Sequence, residues 1–172
     1  MNIFVLDRNP VLAAQQLCDK HVVKMVLEST QMLSTVARKQ RPEMSEVRLY
    51  KPTHAKHPCT VWAGESAANT RWLIEHTEAM FEEYNTRFGR DKPEPEPHKS
   101  YEVFENAKWL LSLRGPIIDP SRWALAMPDQ YKDRSGDPVK SYRAYYVGEK
   151  AGFASWRRST HGIPDWWPND NA

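Results

Sequence analysis

Apolar side chains recur every three or four positions over several stretches of this chain, and prolines rather than glycines separate those stretches. Such spacing lines one face of a helix. Asn9-Pro10 offers an N-cap and a first-turn proline, and the pattern then runs to about Arg38 with a candidate break at Asp19. A second pattern, Thr60 to Phe88, puts Trp62, Asn69, Leu73, His76, Met80 and Tyr84 on one side and stops at Gly89. Ser100 to Leu113 predicts another helix, and Asp137-Pro138 starts one that runs to about Trp156. Ile3 to Leu6 reads either as a short strand or as extended chain against a helix.

The intervening segments read as loops. Residues 40–59 carry Pro42, Pro52 and Pro58. Asp91 to Ser100 (DKPEPEPHKS) reads as a solvated linker, because alternating Glu and Pro can neither continue a helix nor bury a face. Arg114 to Gly136 is mostly irregular around an apolar patch, Trp123 to Met127, and the tail holds Ile163-Pro-Asp-Trp-Trp167. The expectation is a mainly α, single-domain bundle over residues 1–172, with long first, middle and C-terminal helices, Pro-rich loops and at most one short strand.

Composition supports this. The 172 residues include 13 Pro but only 7 Gly, with 11% aromatics. Two cysteines, Cys18 and Cys59, cannot build a disulfide framework and read as buried thiols. No apolar run reaches the roughly eighteen residues of a membrane helix, and Met-Asn-Ile-Phe-Val-Leu lacks the basic start of a signal peptide. The expectation is a cytoplasmic monomer without a membrane partner.

Net charge is only +2, but it is unevenly spread. Lys20 to His57 holds eight Lys or Arg against three Asp or Glu, whereas Glu75 to Glu105 holds nine acidic and four basic residues. Lys140 to His161 carries five basic residues and one acidic. In a polyanion's field such a molecule turns both basic stretches inward. The same runs also suit ordinary solvated helix faces.

On a helical projection, Lys20, His21, Lys24, Glu28 and Gln31 share a face about 100° wide. Cys18, Val22, Val26, Ser29, Leu33, Val36 and Ala37 gather nearly opposite, on the core side. One carboxylate among two lysines and a histidine stays ionised and can act as a base or hold a cationic intermediate. An exposed stripe with a Lys24–Glu28 i,i+4 pair fits the spacing equally. Cys18-x-x-His21 with His54-x-x-His57-x-Cys59 offers zinc-type ligands, but Cys18 and His21 diverge on the projection, so no metal is expected.

The last helix carries Tyr142, Tyr145, Tyr146, Glu149, Phe153 and Trp156 on one side, with Arg143, Lys150 and Arg157 along its edge. Phe153 and Trp156 read as core. Trp166 and Trp167, following Arg157-Arg158 and His161, read either as stacking surfaces for nucleic acid or as a lid on the core.

Asp19-Lys-His21 followed by Glu28, the helical stretch His57 to Phe88, and an end of basic residues then Pro164-x-Trp166 together resemble a known family. It is that of the small all-helical phage pyrimidine-dimer DNA glycosylases of the endonuclease V type. The resemblance implies that the N-terminal α-amine attacks the deoxyribose anomeric carbon, the base leaves, and a Schiff base permits strand cleavage. It makes Glu28 the catalytic carboxylate, His21 a neighbouring active-site or phosphate contact, and the Pro164-Asp-Trp166-Trp167 tail a wall against DNA. A terminal amine is in part free base near neutrality, so it suits covalent catalysis. The sequence departs from the family at Asn2, where a small residue lets the initiator methionine be removed, so both Met1 and Asn2 are candidates. It departs also at Leu27 and Gln31, where the family shows arginine; Lys20 and Lys24 share the same face.

The leading expectation is therefore a glycosylase, with or without abasic-site lyase activity, acting on an altered pyrimidine in DNA. Its catalytic candidates are Glu28, His21, Asn2 and Met1. Its DNA contacts are Lys20, Lys24, Gln31, Lys51, His54, Lys56, His57, Arg143, Lys150, Arg157, Trp166 and Trp167. Neither a metal nor an organic cofactor is implied. A pyrimidine-modifying transferase on the same fold and a non-enzymatic nucleic-acid-binding module are the alternatives.

Overall fold

The computed structural model describes residues 1–89, 97–112, 120 and 122–168. Six α-helices account for most of them: α1 (Pro10–Gln15), α2 (Asp19–Gln40), α3 (Pro58–Glu65), α4 (Ala67–Phe88), α5 (Tyr101–Leu110) and α6 (Pro138–Lys150). Short 3-10 turns lie at Pro42–Met44 and Asp129–Tyr131, and there is no strand among the described residues. Residues 91–96 of the expected linker, and 113–119 and 121 around the start of the expected irregular segment, lie outside them.

Caps explain several boundaries. Asn9 Oδ1 accepts from the Val11 and Leu12 amides at 2.9 and 3.2 Å, and Asp137 Oδ1 from Val139 and Lys140 at 2.8 and 3.3 Å. The break before Asp19 is real. Cys18 is extended and its amide donates to the buried Tyr146 hydroxyl at 3.0 Å, while Asp19 N donates to Ser155 O at 2.8 Å. α2 then runs from an acidic first turn, Asp19, to a basic last turn, Arg38 and Lys39, in accord with its dipole.

Two expected helices differ from the structure. The Thr60 to Phe88 pattern is two helices, because Ser66 is extended and its hydroxyl accepts from Asn69 N at 3.1 Å, capping α4. α6 stops at Lys150, short of Trp156, so the following turn carries Phe153 out to 38% exposure while Trp156 stays buried. Phe153 is therefore not the core residue its spacing suggests.

α2 is the central element and packs against α3, α4 and α5, while α1 packs on α4. All seven residues of its expected core face, Cys18 to Ala37, are buried. Ile3 to Leu6 is neither helix nor strand and lies fully inside the core, tightened by Leu6 N donating to Phe4 O at 2.7 Å. Phe4 sits at φ 35°, a left-handed conformation that strains a non-glycine residue. Arg87, on α4, is buried and ties the bundle together: it donates to Gln15 O at 2.9 Å and Leu17 O at 2.8 Å and pairs with Glu83 and Asp19. No described helix is long and apolar enough to cross a membrane.

Candidate active site at the chain start

Burial of the first residues delivers the terminal amine to α2. The Asn2 side chain accepts from Ile3 N at 2.8 Å and Phe4 N at 3.4 Å and donates to Ala126 O at 2.9 Å. These bonds pin the second residue, and the Met1 side chain is buried with its sulfur accepting from the Thr60 hydroxyl at 3.4 Å. The Met1 α-nitrogen then lies 3.5 Å from Glu28 Oε2, while Lys24 Nζ lies 3.2 Å from Oε1. Glu28 thus sits between two cationic nitrogens, recessed at 14% exposure beneath a Lys24 side chain at 61%. The i,i+4 pair of Lys24 and Glu28 is present, and the same carboxylate also pairs with the chain start.

His21 does not face the groove as its projection angle suggests. It is 5% exposed, stacked on Phe4 with ring centroids 4.6 Å apart, edge-on to Phe153, and its Nδ1 is 2.7 Å from the Tyr146 hydroxyl. Burial first, then Lys150, Lys24 and Lys20, push its pKa down to about 3. At neutral pH it is an uncharged ring that shapes the wall behind the site, and it lends no positive charge to a phosphate.

His57 lies on the other side. It caps α3, its Nδ1 accepting from Cys59 N at 3.2 Å, which leaves the ring proton on Nε2 in the neutral form. Burial lowers its pKa, as do the chain-start amine and His54, while Glu28 pulls the other way. His57 is thus within electrostatic reach of the amine and the carboxylate. Lys51, His54 and Lys56 are exposed on the same loop, with His54 in a left-handed conformation and bonded to Thr53 Oγ1 at 2.7 Å. Cys59 is buried, 3.9 Å from Asn2 Oδ1, and burial pushes its thiol up to about 12, so it is inert packing. Among the described residues, no group of three or more His, Cys, Asp or Glu could hold a metal ion.

The N-terminal turns of α2 border a groove of about 610 Å³ lined by Lys20, Val23, Lys24, Phe88, Phe153 and Arg157, among others. The Lys20 ammonium lies 4.5 Å from the centre of the Phe153 ring. Gln31, one turn beyond Glu28, is half-buried.

The remaining candidates, each partly exposed, also make contacts within the fold. Arg143 Nε donates to Leu6 O at 2.9 Å, and its guanidinium approaches Asp7 at 3.7 Å and lies over the Trp166 ring. Lys150 lies over the Tyr145 ring. Trp166 donates to Gln16 Oε1 at 2.7 Å, and Trp167 meets Trp156 edge-on with centroids 4.8 Å apart. The tail's contacts are those of a lid on the core. The projection of α2 gave no sign of Phe4 or Tyr146, which turn His21 inward, because both come from outside the helix.

The model of a family described as pyrimidine dimer DNA glycosylase matches residues 1–94, more than half of the chain. No curated protein and no solved structure matches. The matched stretch holds the buried start, all of α2 and α3, and hence Met1, Lys24, Glu28 and His57 together. On that match, the chain belongs to the pyrimidine dimer DNA glycosylase family.

Proposed function

We propose that the chain excises an altered pyrimidine from DNA by covalent catalysis, with the Met1 α-amine as nucleophile and Glu28 as its partner carboxylate. The observation that carries this reading is the 3.5 Å approach of the amine to a recessed carboxylate. A proton from the amine passes to Glu28, and the freed lone pair forms the bond to C1′ of the target sugar. The C1′–base bond breaks, and the base departs with its electron pair. Opening of the C1′–O4′ bond then yields an imine between Met1 and the sugar, from which water releases the protein or elimination of the 3′ phosphate cuts the strand. The departing base takes up the second proton of the amine nitrogen, Glu28 returns the first to O4′ as the ring opens, and the carboxylate so restored faces the cationic imine.

DNA reaches the site through charge. Lys20, Lys24 and Arg157 line the groove, and Lys51 and Lys56 lie on the loop that carries His57. These cations would take phosphates on either side of the target, and the neutral Nε2–H of His57 is available as a donor to substrate oxygen.

Borohydride reduction tests the central step. It should fix the protein to DNA containing a pyrimidine dimer or an abasic site, with the adduct on the first residue and intact mass showing that residue to be methionine. Glu28→Gln should lose base release by about 10²–10⁴-fold. Absence of any adduct on all such substrates refutes the amine route. A mass gain on the DNA without released base would instead favour a transferase, and DNA binding with no chemistry at all a binding module.

A further inference from the structure

We infer that Leu27 is the side chain that enters the DNA base stack beside the target nucleotide. The inference rests on the glycosylase reading above and concerns how the duplex is opened rather than how the base is cut. A base that leaves the stack exposes its neighbours' apolar faces, and unstacking a step costs a few kcal/mol unless something apolar takes the vacated place.

α2 offers such a group at the right place. Val23 and Leu27 stand one turn apart and are 39% and 38% exposed, on a helix whose other large apolar residues are buried. Leu27 immediately precedes Glu28 and follows Lys24 by three positions, so on the helix surface it lies beside the Lys24 side chain that covers the carboxylate. Since Glu28 is recessed and Lys24 and Leu27 stand out, approaching DNA meets the ammonium and the leucine before it meets the carboxylate. Lys20 and Lys24 run along the same ridge, and their charge suits phosphates on both sides of an inserted wedge. The pattern of apolar tips between cations matches a stacked, polyanionic occupant.

Leu27 is also where the chain departs from the arginine of the family it resembles. A guanidinium there would fork onto a phosphate; a leucine cannot, and an exposed apolar tip beside two lysines suits insertion between bases. The wedge is thus a property of this chain's own sequence.

The test compares one pyrimidine-dimer oligonucleotide as a paired duplex and as a single strand. Leu27→Ala should lower kcat/KM on the duplex by about 10–100-fold. On the single strand, where no stack needs opening, it should change little, and Leu27→Phe should recover much of the duplex activity. A second readout is independent of the chemistry. 2-Aminopurine placed next to the dimer should brighten when the wild-type protein binds the duplex, should brighten equally with Glu28→Gln, and should stay dim with Leu27→Ala. Equal losses on duplex and single strand, no loss on the duplex, or no brightening with the wild type would each overturn the inference. Failure of the amine route would appear elsewhere, as a missing borohydride adduct on the single strand with Leu27 intact.

Discussion

The Asn2 amide and the Ala126 carbonyl meet at 2.9 Å, so a segment remote in sequence anchors the residue that follows the terminal amine. The same side chain accepts from the Ile3 and Phe4 amides, and Phe4 is held in a left-handed conformation. Asn2→Ala should leave these groups unpaired and lower stability by about 1–3 kcal/mol, read as a shifted urea midpoint. It should also slow borohydride trapping well below urea concentrations that unfold the protein, because Met1 loses its seat against Glu28. Unchanged trapping would show that the amine is positioned without Asn2.

Buried histidines give the protein an acid sensitivity of definite sign. His21 is lowered to about 3 by burial and nearby lysines, and His76 to about 4 by burial, with its bond to Pro10 O acting the other way. Both titrate near the ordinary value of 6.5 once unfolded. The unfolded chain therefore binds protons that the folded one refuses, and the stability present above pH 6.5 is lost as the pH falls toward 4. Each histidine contributes up to about 1.4 kcal/mol per pH unit in that window. Urea midpoints taken from pH 7 to 4 should fall accordingly, and His76→Gln should flatten the slope by one proton.

Arg87 is the most heavily engaged buried charge. It satisfies one carbonyl at the end of α1 and one in the α1–α2 connection and pairs with Glu83 and Asp19, while Glu83 also accepts from His161 at 3.0 Å. Arg87→Met should cost about 3–5 kcal/mol, because it strands a buried carboxylate as well as the carbonyls. Denaturation by urea checks this, and a loss under about 1 kcal/mol would mean that water replaces the guanidinium.

Lys24 separates binding from stability. Its pair with Glu28 is exposed on the lysine side, so Lys24→Ala should change stability by less than about 1 kcal/mol. Affinity for DNA should fall, and the slope of log affinity against log salt should lessen by about 0.9, the signature of one lost phosphate contact. An unchanged slope would place Lys24 off the DNA path.

The helical character, the Asn9 and Asp137 caps and the core face of α2 were legible from local chemistry, because caps and periodicity are properties of neighbouring residues. The division between α3 and α4 was legible in principle, since Ser66 and Asn69 form a capping pair inside an unbroken apolar pattern. His21 was not, because its burial depends on Phe4 and Tyr146, and a projection knows nothing of what packs on a helix. The meeting of Met1 with Glu28 followed only from family resemblance. Spacing alone yields the Lys24 pair, and the non-helical start of the chain that brings the amine to the same carboxylate leaves no periodic trace.

The family match stops at residue 94, yet α6 lies beyond it and packs against the chain start and the first turn of α2. Tyr146 holds both the Cys18 amide and the His21 ring, Tyr145 lies parallel to Phe4, and Arg143 reaches the Leu6 carbonyl. The matched part of the molecule thus takes contacts that seat its first residues from the part that lies beyond the match. A protein shortened after α4 would keep Met1, Lys24 and Glu28 and their contacts to one another, but would lose the Tyr145, Tyr146, Arg143 and Ala126 partners that hold Phe4, His21, Leu6 and Asn2 in place.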